Sequence, residues 1–478
     1  MRVLENIEPQ KVMEYFEILS SIPRGSGNTK AVSDYCVSFA KEHNFECYQD
    51  ASNNVIIICP PTVGYEDAPA VIIQGHLDMV CEKEAGFDFD FTKEAIRLIA
   101  DDEYITADRT TLGADDGIAV AMALAAMDDK TIPHPKIEAV FTVDEEIGLL
   151  GATAIDLSML EGKMLLNIDS EVEGILTVSC AGGSTTKSTI HVNYGKATGN
   201  IYKLTIDGLA GGHSGVEIDK NRANANILMG RLLYALSHTA DIKICELEGG
   251  MKDNAIPAMS SAVIMTDASI SDVITEYDAI FKNEYKSSDK NVKVQAQFLG
   301  NYQRNALDKK STKTVISYLV SIPDGIMRMS SEIDGLVETS LNLGILRLTG
   351  ENMSASFSVR SSVGTQKSAL NTKLVTITET LGGSVEISGE YPAWEYNPNS
   401  KLRDIMVDVY KKMYGEEPKI EAIHAGLECG VFCGKIDGLD CVSFGPDLPD
   451  IHTPRERMSI ASVQRVWKYL LEILKRIN

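Results

Sequence analysis

The chain has 478 residues, of which 44% are hydrophobic and 24% are charged, and its formal net charge is −23 at pH 7. This length exceeds what one hydrophobic core usually serves, so we expect two domains, and the composition argues against a disordered chain. The acidity argues against nucleic acid as a partner, because binding to phosphates needs clustered Lys and Arg.

The nine cysteines are scattered along the chain, and Cys429 and Cys433 form the one close pair with a spacing typical of metal ligands. No second pair completes a four-cysteine zinc site, so we expect reduced, mostly buried thiols in a reducing compartment. The first residues lack the apolar segment of a signal peptide. The longest apolar run, residues 118–127, is far shorter than the roughly 20 residues of a membrane span. We therefore predict a soluble, cytoplasmic protein without a membrane partner.

Helix and strand signals alternate over the first 182 residues. A helix is predicted after Pro9, and an alanine-rich helix over residues 116–127. Four short runs are rich in β-branched and other apolar residues, as expected for strands buried on both faces of a mainly parallel sheet. These runs are residues 55–59, 70–74, 137–143 and 164–168. The pattern predicts an α/β layer in which helices pack on the sheet.

The character of the sequence changes after Gly182-Gly183. Ser and Thr become more frequent, and the segment around 193–200 is polar. The predicted elements are strands at 201–206, 291–299 and 354–360 and a helix at 221–237. They favour an α+β arrangement, with helices on one side of a smaller sheet.

The α/β pattern returns after Pro392, with helices predicted at 401–413 and 461–477. We therefore predict that residues 1–186 and 393–478 form one split α/β domain with a mainly parallel sheet. Residues 187–392 would form an inserted α+β domain.

His76 and Asp78 lie two residues apart, just after a predicted strand. Residues i and i+2 of an extended chain share a face. A histidine beside a carboxylate is typical of a metal ligand and the acid that orients its ring. An ordinary hydrogen-bonded histidine stays an alternative, because His-x-Asp is common by chance.

Two adjacent acids, Asp115 and Asp116, lead into the alanine-rich helix. Carboxylates at a helix N-terminus also serve as caps and as partners of the helix dipole, so that role stays open. The flanking residues Gly113 and Gly117 favour a loop that turns one carboxylate inward to bridge cations.

Two further apolar strands lead into acids, because 137–143 precedes Glu145-Glu146 and 164–168 precedes Asp169. Open α/β sheets place ligands at the C-terminal edge of their strands, although acidic runs also occur on solvated surfaces. Carboxylates packed together repel one another, and bound cations resolve that repulsion. Oxygen ligands mixed with histidine, without a thiolate, favour Zn, Mn or Co.

Six segments of the chain resemble the M20 family of di-zinc peptidases, and in particular its aminoacyl-histidine dipeptidase branch, also described as cytosol nonspecific dipeptidases. The resemblance covers essentially the whole chain. The segments are GHLDMV (75–80), LGADDGIA (112–119), TVDEEIGLLGA (142–152), NIDSE (167–171), IDGLAGGHSG (206–215) and AIHAGLECGVF (422–432).

The resemblance implies two metal ions held by five ligands. His76 and Asp169 would bind one ion, and Glu146 and His452 the other. Asp115 would bridge both ions, and in such families the peptide bond after this residue is often cis. The ions are expected to be zinc, with manganese or cobalt as alternatives. Without the resemblance, His452 is an unremarkable loop histidine in PDIHTPRE.

The resemblance also implies residues that act beside the metals. Asp78 would support His76, and Glu145 would take the proton of the attacking water and hand it to the leaving amine. Glu145 and Glu146 can share one site only if the strand has ended before them, since consecutive strand residues face opposite ways. His213 would donate to the oxyanion, in its own subunit or across a dimer, from a lid and dimerisation domain at 187–392. A solvent-exposed histidine in a glycine loop is the alternative for His213.

Four residues are implied at the substrate end, each with a structural alternative. Asn224 would bind a substrate carbonyl, and Arg360 the C-terminal carboxylate, because an arginine fork matches a carboxylate well. An ordinary salt bridge is equally compatible with Arg360. His424 and Glu428 would line the substrate end near the metals, or serve only the architecture.

The implied activity is hydrolysis of unblocked dipeptides by a homodimeric enzyme, with Xaa-His substrates such as β-alanyl-histidine and others such as Cys-Gly. A tripeptidase, a carboxypeptidase or an N-acyl amino acid deacylase is the alternative, because the same metals cleave any positioned amide. The intact Glu145 and the complete ligand set argue against a binding protein that keeps the fold without catalysis.

Overall fold

The computed structural model describes residues 2–478, and the chain divides into two compact units. The first comprises residues 2–179, Tyr396–Ala422 and Leu427–Asn478, and the second Cys180–Glu395 and Ile423–Gly426. The boundaries predicted at 186/187 and 392/393 lie close to the ends of the long segment of the second unit. The return of Ile423–Gly426 to the second unit has no signal in the sequence.

Residues 2–478 form eleven α-helices and 22 β-strands. The helices are α1 (Gln10–Ser20), α2 (Lys30–Glu42), α3 (Ala114–Asp128), α4 (Leu150–Ala154), α5 (Ala225–Thr239), α6 (Ser271–Glu284), α7 (Lys309–Ser321), α8 (Gly364–Thr380), α9 (Lys401–Tyr414), α10 (Glu428–Lys435) and α11 (Ile460–Arg476). The strands are β1 (Glu46–Gln49), β2 (Val55–Cys59), β3 (Val71–His76), β4 (Leu98–Ala100), β5 (Tyr104–Ala107), β6 (Ile137–Thr142), β7 (Met164–Asn167), β8 (Ile175–Cys180), β9 (Gly182–His191), β10 (Tyr194–Asp207), β11 (Gly212–His213), β12 (Lys243–Gly249), β13 (Ala255–Ile256), β14 (Ser260–Met265), β15 (Lys293–Leu307), β16 (Gly325–Met329), β17 (Val337–Thr349), β18 (Asn352–Ser361), β19 (Ser384–Tyr391), β20 (Lys419–Ile423), β21 (Asp440–Ser443) and β22 (Arg457–Ser459).

The first unit is built on an eight-stranded sheet in the order β1-β2-β6-β3-β7-β21-β8-β20. The central strands β6, β3, β7 and β21 are parallel to one another. On either side, β2 pairs antiparallel with β6, and β8 pairs antiparallel with β21. The α/β prediction is confirmed at the centre of the sheet. The apolar sequence of β2 did not reveal its direction, because burial on both faces makes a strand apolar whichever way it runs.

Helix α3 packs closely on β3, as its alanine-rich sequence predicts. A Cβ atom added at Gly75, near the end of β3, would lie only 2.7 Å from the Cβ of Ala119. The absence of a side chain at Gly75 and the small side chain at Ala119 therefore let the two elements approach. This contact brings the start of α3 beside the end of β3.

The second unit contains a nine-stranded sheet in the order β15-β10-β14-β12-β17-β18-β9-β19, with β16 beside β17. Its strands pair antiparallel, and its main core lies between the sheet and helices α5 to α8. The predicted α+β arrangement is confirmed, but the prediction of a smaller sheet is wrong, because this sheet has nine strands and that of the first unit has eight. The polar segment around 193–200 is the first half of β10, which pairs there only with β15 and leaves its side chains largely exposed.

No helix in the described part of the chain is both long and apolar enough to cross a membrane.

Candidate metal centre

Three parallel strands end at one edge of the first sheet and deliver polar side chains there. Strand β3 ends at His76, β6 ends at Thr142 shortly before Glu145, and β7 ends at Asn167 two residues before Asp169. Because parallel strands share their direction, their C-terminal ends meet at the same edge, which is where open α/β sheets place ligands.

Asp115 lies between two histidines from distant parts of the chain. Its Oδ1 atom is 3.1 Å from Nε2 of His76, and its Oδ2 atom is 3.0 Å from Nε2 of His452. On the first side, Nε2 of His76 is also 3.7 Å from Oδ1 of Asp169. On the second side, Nε2 of His452 is 3.1 Å from Oε1 of Glu146. The two oxygens of Asp115 therefore belong to two neighbouring groups of donors.

These donors fit a pair of divalent cations. Oxygen and imidazole nitrogen atoms of Asp115, Glu146 and His452 lie within 4.8 Å of one another, and so do those of His76, Asp116 and Asp169. The set mixes carboxylates with histidines and contains no thiolate, which suits Zn, Mn or Co rather than a cysteine-bound structural zinc. The structure thus brings together the five predicted ligands.

The two adjacent acids at the start of α3 have different partners. The peptide bond between Asp115 and Asp116 is cis. Asp116 is buried, and its Oδ2 accepts a hydrogen bond from the backbone N–H of His76 at 3.2 Å. Asp115 therefore faces the histidine rings, whereas Asp116 holds the backbone of the strand end.

Asp78 organises the site without joining the group of donors around either histidine Nε2. It is fully buried, and its carboxylate accepts the backbone N–H groups of Glu145 at 3.1 Å and Glu146 at 3.3 Å. Its backbone carbonyl lies 3.1 Å from Nδ1 of His76. A proton held on Nδ1 by this carbonyl leaves the lone pair of Nε2 free for a cation.

Strand β6 ends before Glu145 and Glu146, which allows both side chains to point to the same site. Strand β6 stops at Thr142, and Asp144 has a left-handed backbone with φ of 56°. Burial raises the pKa of Glu145 to about 8, and the nearby charges of Glu428 and Glu146 act in the same direction. A carboxyl group with a pKa near neutrality is suited to accept and return a proton.

Several carboxylates lie close together at this edge of the sheet and shift the pKa values of their neighbours. Hydrogen bonds to Asp115 and Glu146 raise the pKa of His452 to about 10. Burial raises the pKa of Asp169 well above its usual value, and the charge of Asp116 adds to this effect. Burial opposes the charge on His76, yet hydrogen bonds with Asp115 and Asp78 raise its pKa. Without bound cations, the cluster therefore keeps protons that offset its negative charge.

Three buried side chains beside these residues escaped the sequence analysis. Arg24 and Glu456 both bind backbone groups of the loop before Asp115, and Gln74 is bonded to Glu428. Glu456 follows His452 by four residues and therefore lay within a segment already quoted. Arg24 and Gln74 carried no signal, because buried polar residues are recognised only from their partners.

Glu428 is a fully buried acid at the start of α10. Its Oε2 accepts hydrogen bonds from Gln74 and from Thr142, the latter at 2.7 Å, and Oε1 has no hydrogen-bond partner. Burial raises its pKa to about 7. In this structure Glu428 ties α10 to the ends of β3 and β6, and its predicted contact with substrate stays a prediction.

The other predicted residues belong to the second unit, where the charge of Arg360 acts on both His213 and His424. Nδ1 of His213 accepts backbone N–H groups of Gly215 at 3.1 Å and Val216 at 3.2 Å. Burial and the charge of Arg360 lower the pKa of His213, and the same two causes lower that of His424 to about 3. Both rings are therefore neutral near pH 7.

Asn224 caps helix α5. Its Oδ1 accepts the backbone N–H of Asn226, and its Nδ2 lies within hydrogen-bonding distance of Asp324, Asn342 and the carbonyl of Leu343. These contacts occupy both ends of the side-chain amide. A role in binding a substrate carbonyl stays a prediction.

Comparison with known proteins agrees with the resemblance carried by the motifs. The model of Peptidase family M20/M25/M40 matches residues 72–476. The cytosol non-specific dipeptidase of Escherichia coli strain K12 is 36% identical over 100% of this chain and 99% of its own length. The crystal structure of aminoacylhistidine dipeptidase from Vibrio alginolyticus superposes with a TM-score of 0.94 and 34% identity, over 99% of this chain and 98% of that one.

A more distant structure shares the fold alone. Aminopeptidase PepT from Bacillus cereus superposes with a TM-score of 0.58 at 16% identity, over 98% of this chain and 99% of that one. The family match and the full-length relatives together decide the assignment. The chain belongs to peptidase family M20/M25/M40.

Proposed function

We propose that this chain is a metal-dependent dipeptidase that hydrolyses unblocked dipeptides, including Xaa-His substrates such as β-alanyl-histidine. The observation that carries the proposal is the position of the Asp115 carboxylate, whose two oxygens face His76 on one side and His452 on the other. Such a carboxylate is suited to join two cations. The names of the full-length relatives, both dipeptidases, support the substrate class.

Two divalent ions would be held by His76 and Asp169, by Glu146 and His452, and by Asp115 between them. Zinc is the proposed metal, with manganese and cobalt as alternatives that the same donors accept. When bound, the two ions supply Lewis acidity toward the peptide carbonyl and lower the pKa of a shared water.

Glu145 is the proposed proton carrier. It takes a proton from the attacking water and delivers it to the amine that leaves, so that one carboxyl acts first as base and then as acid. Burial among other carboxylates keeps its pKa high enough for it to hold the proton between the two steps. Asp78 positions it by accepting the backbone N–H of Glu145.

Arg360 is the proposed binding residue for the carboxylate at the substrate's C-terminus. It is only 9% exposed, its Nη1 donates to the hydroxyl of Tyr391 at 3.0 Å, and its Nε has no hydrogen-bond partner. It forms no ion pair with any residue in 2–478. A buried guanidinium without a counter-ion is unfavourable, and a substrate carboxylate would supply the missing charge.

His213 is the proposed donor to the oxyanion. Since its Nδ1 accepts two backbone N–H groups, the neutral ring carries its proton on Nε2. A neutral donor that is already oriented stabilises developing negative charge without losing its own proton.

We also propose that the protein works as a homodimer in the cytoplasm. In the second unit, β15 is the outer strand of its sheet and exposes Phe298 and Tyr302, a surface that a second copy would cover. Cys36, Cys59, Cys429 and Cys441 are buried free thiols, as is usual in a reducing compartment.

Metal titration and a substrate panel test the proposal. The purified protein would be stripped with a chelator, reloaded with Zn²⁺, Mn²⁺ or Co²⁺, and assayed with β-alanyl-histidine, Cys-Gly, a tripeptide and N-acetyl amino acids. We expect two ions per chain and hydrolysis confined to the unblocked dipeptides. Faster cleavage of the tripeptide or of the N-acetyl compounds would move the assignment to the alternatives. No cleavage of any compound with two ions bound would refute it.

A further inference from the structure

Arg24 is a charged side chain that is almost completely enclosed in the first unit. It is 2% exposed and makes no ion pair with a carboxylate in the described residues. Its guanidinium instead donates to three backbone carbonyls, those of Leu77 and Asp78 at 3.0 Å each and that of Gly113. Arg24 therefore connects the segment after His76 with the loop before Asp115.

Glu456 is a second enclosed charge, and it binds the same loop through the opposite groups. It is 3% exposed, and Oε2 accepts the backbone N–H groups of Leu112 at 2.8 Å and Gly113 at 3.1 Å. Its Oε1 accepts that of Ala114 at 2.8 Å and lies 3.5 Å from that of Asp115. One carboxylate thus satisfies successive N–H groups immediately before the bridging ligand.

The two charges meet at Gly113, which donates to Glu456 through its N–H and accepts from Arg24 through its carbonyl. Gly113 has φ of 70°, a left-handed conformation that favours glycine. A Cβ atom added at Gly113 would lie 2.6 Å from Nη2 of Arg24, and one at Gly117 would lie 2.5 Å from it. The two glycines make the space in which the guanidinium lies.

We propose that Arg24 and Glu456 act together as a clamp, a pair of opposite charges joined through the backbone of Gly113, that positions Asp115 to bridge both metal ions. Each charge offsets the burial of the other through the intervening peptide groups. The clamp joins three segments that carry ligands: the end of β3 with His76, the loop with Asp115, and the segment from His452 to Glu456. Arg24 and Glu456 are positioning residues, because they act on the metals through Asp115.

This inference rests on the proposed two-metal function, and Co²⁺ binding tests it without turnover. The substitution Glu456→Gln keeps the shape of the side chain but places an NH₂ group against backbone donors. We expect Co²⁺ to bind about 10- to 100-fold more weakly, as is typical when a partner that orients a ligand is lost, with a changed visible absorption spectrum. Isothermal titration and absorption spectroscopy of the chelator-stripped full chain would measure both.

Glu138→Gln is a matched control in the same sheet. Glu138 is fully buried and also binds backbone N–H groups, those of Glu161 at 3.0 Å and Gly162 at 2.9 Å. It lies near the start of β6, at the opposite end of that strand from Thr142. We expect this variant to lose stability but to bind Co²⁺ with wild-type affinity and spectrum. The same loss of Co²⁺ affinity in both variants would overturn the proposal, because it would then reflect general destabilisation.

Two further variants keep the test decisive if Glu456→Gln does not fold. Glu456→Asp retains the charge on a shorter side chain, and Arg24→Gln removes the opposite charge. Each is expected to weaken Co²⁺ binding, and the double variant Arg24→Gln/Glu456→Asp by less than the product of the two single effects, because the clamp acts as a unit. Wild-type Co²⁺ affinity and spectrum in the folded single variants would refute the clamp. Two bound ions without peptidase activity in the wild type would refute the proposed function instead.

Discussion

The histidines of the two units differ in the direction in which the protein moves their pKa values. In the first unit, carboxylates raise the pKa values of His76 and of His452, the latter to about 10. In the second unit, burial and Arg360 lower the pKa values of His213 and of His424, the latter to about 3. The first cluster therefore has an excess of negative charge, whereas the second contains a cation without a counter-ion. This difference is consistent with the proposed cation site in the first unit and the proposed carboxylate site at Arg360 in the second.

The strongest test of the acidic cluster is removal of its proposed proton carrier. Glu145→Ala should keep both proposed metal ions, because Glu145 is not among the five proposed ligands. It should lower kcat by about 10²- to 10⁴-fold, the usual contribution of a general base. Metal content by mass spectrometry and kcat for a dipeptide would be compared with those of Glu138→Gln. Normal turnover in Glu145→Ala would show that another group carries the proton.

The cation of the second unit is tested by Arg360→Met. If Arg360 binds the substrate carboxylate, kcat/KM for a dipeptide should fall about 10- to 100-fold, consistent with loss of hydrogen bonds to a charged group. The same substitution should hardly affect hydrolysis of a dipeptide amide, which lacks that carboxylate. Equal losses for the two substrates would indicate that Arg360 serves only the fold of its unit.

The excess of negative charge in the first unit predicts how stability depends on pH when metals are removed. His452 has a folded pKa of about 10 against an ordinary 6.5, and Glu145 about 8 against 4.5. Both groups bind protons more tightly in the folded state, so their contribution is full below the ordinary values and is lost as pH rises through the folded ones. The chelator-stripped protein should therefore lose thermal stability between about pH 5 and 10.

Metal binding should largely remove this pH dependence, because the cations replace the protons. Differential scanning calorimetry with and without Zn²⁺ across that range would measure the effect. A stripped protein whose stability rises with pH would contradict the charge balance inferred for the cluster.

The smallest expected effect concerns Asn224 in the second unit. Because its side chain caps α5 and its amide is occupied, Asn224→Ala should lower stability by about 1–2 kcal/mol, a typical value for a lost cap. Asp308→Ala removes the cap of α7 in the same unit and is the matched control. A larger loss of kcat/KM in Asn224→Ala than in Asp308→Ala, at similar stability, would favour the predicted contact with substrate.

Local patterns in the sequence were sufficient to predict the helices and strands that form the layers of the fold. The apolar runs at 55–59 and 137–143 correspond to β2 and β6, and the alanine-rich run to α3. The spacing of apolar residues along the chain indicates which residues are buried and whether the segment is a helix or a strand, so it identifies these elements well. It does not show which strand pairs with which. The antiparallel pairing of β2 with β6 and the pairing of the first half of β10 with β15 were therefore not predicted.

Four of the five proposed metal ligands could be predicted to lie close together because each lies in a motif at the end of an element, and the resemblance of those motifs to a family added His452. By themselves, residue types and spacings determined the α/β and α+β layers and the chemistry of an acidic, histidine-containing site. Only the tertiary structure decided that Asp115 faces both histidines and Asp116 the backbone, and that Arg24 and Glu456 meet at Gly113. The physical reason is that these roles depend on contacts between residues up to several hundred positions apart, which no local pattern encodes.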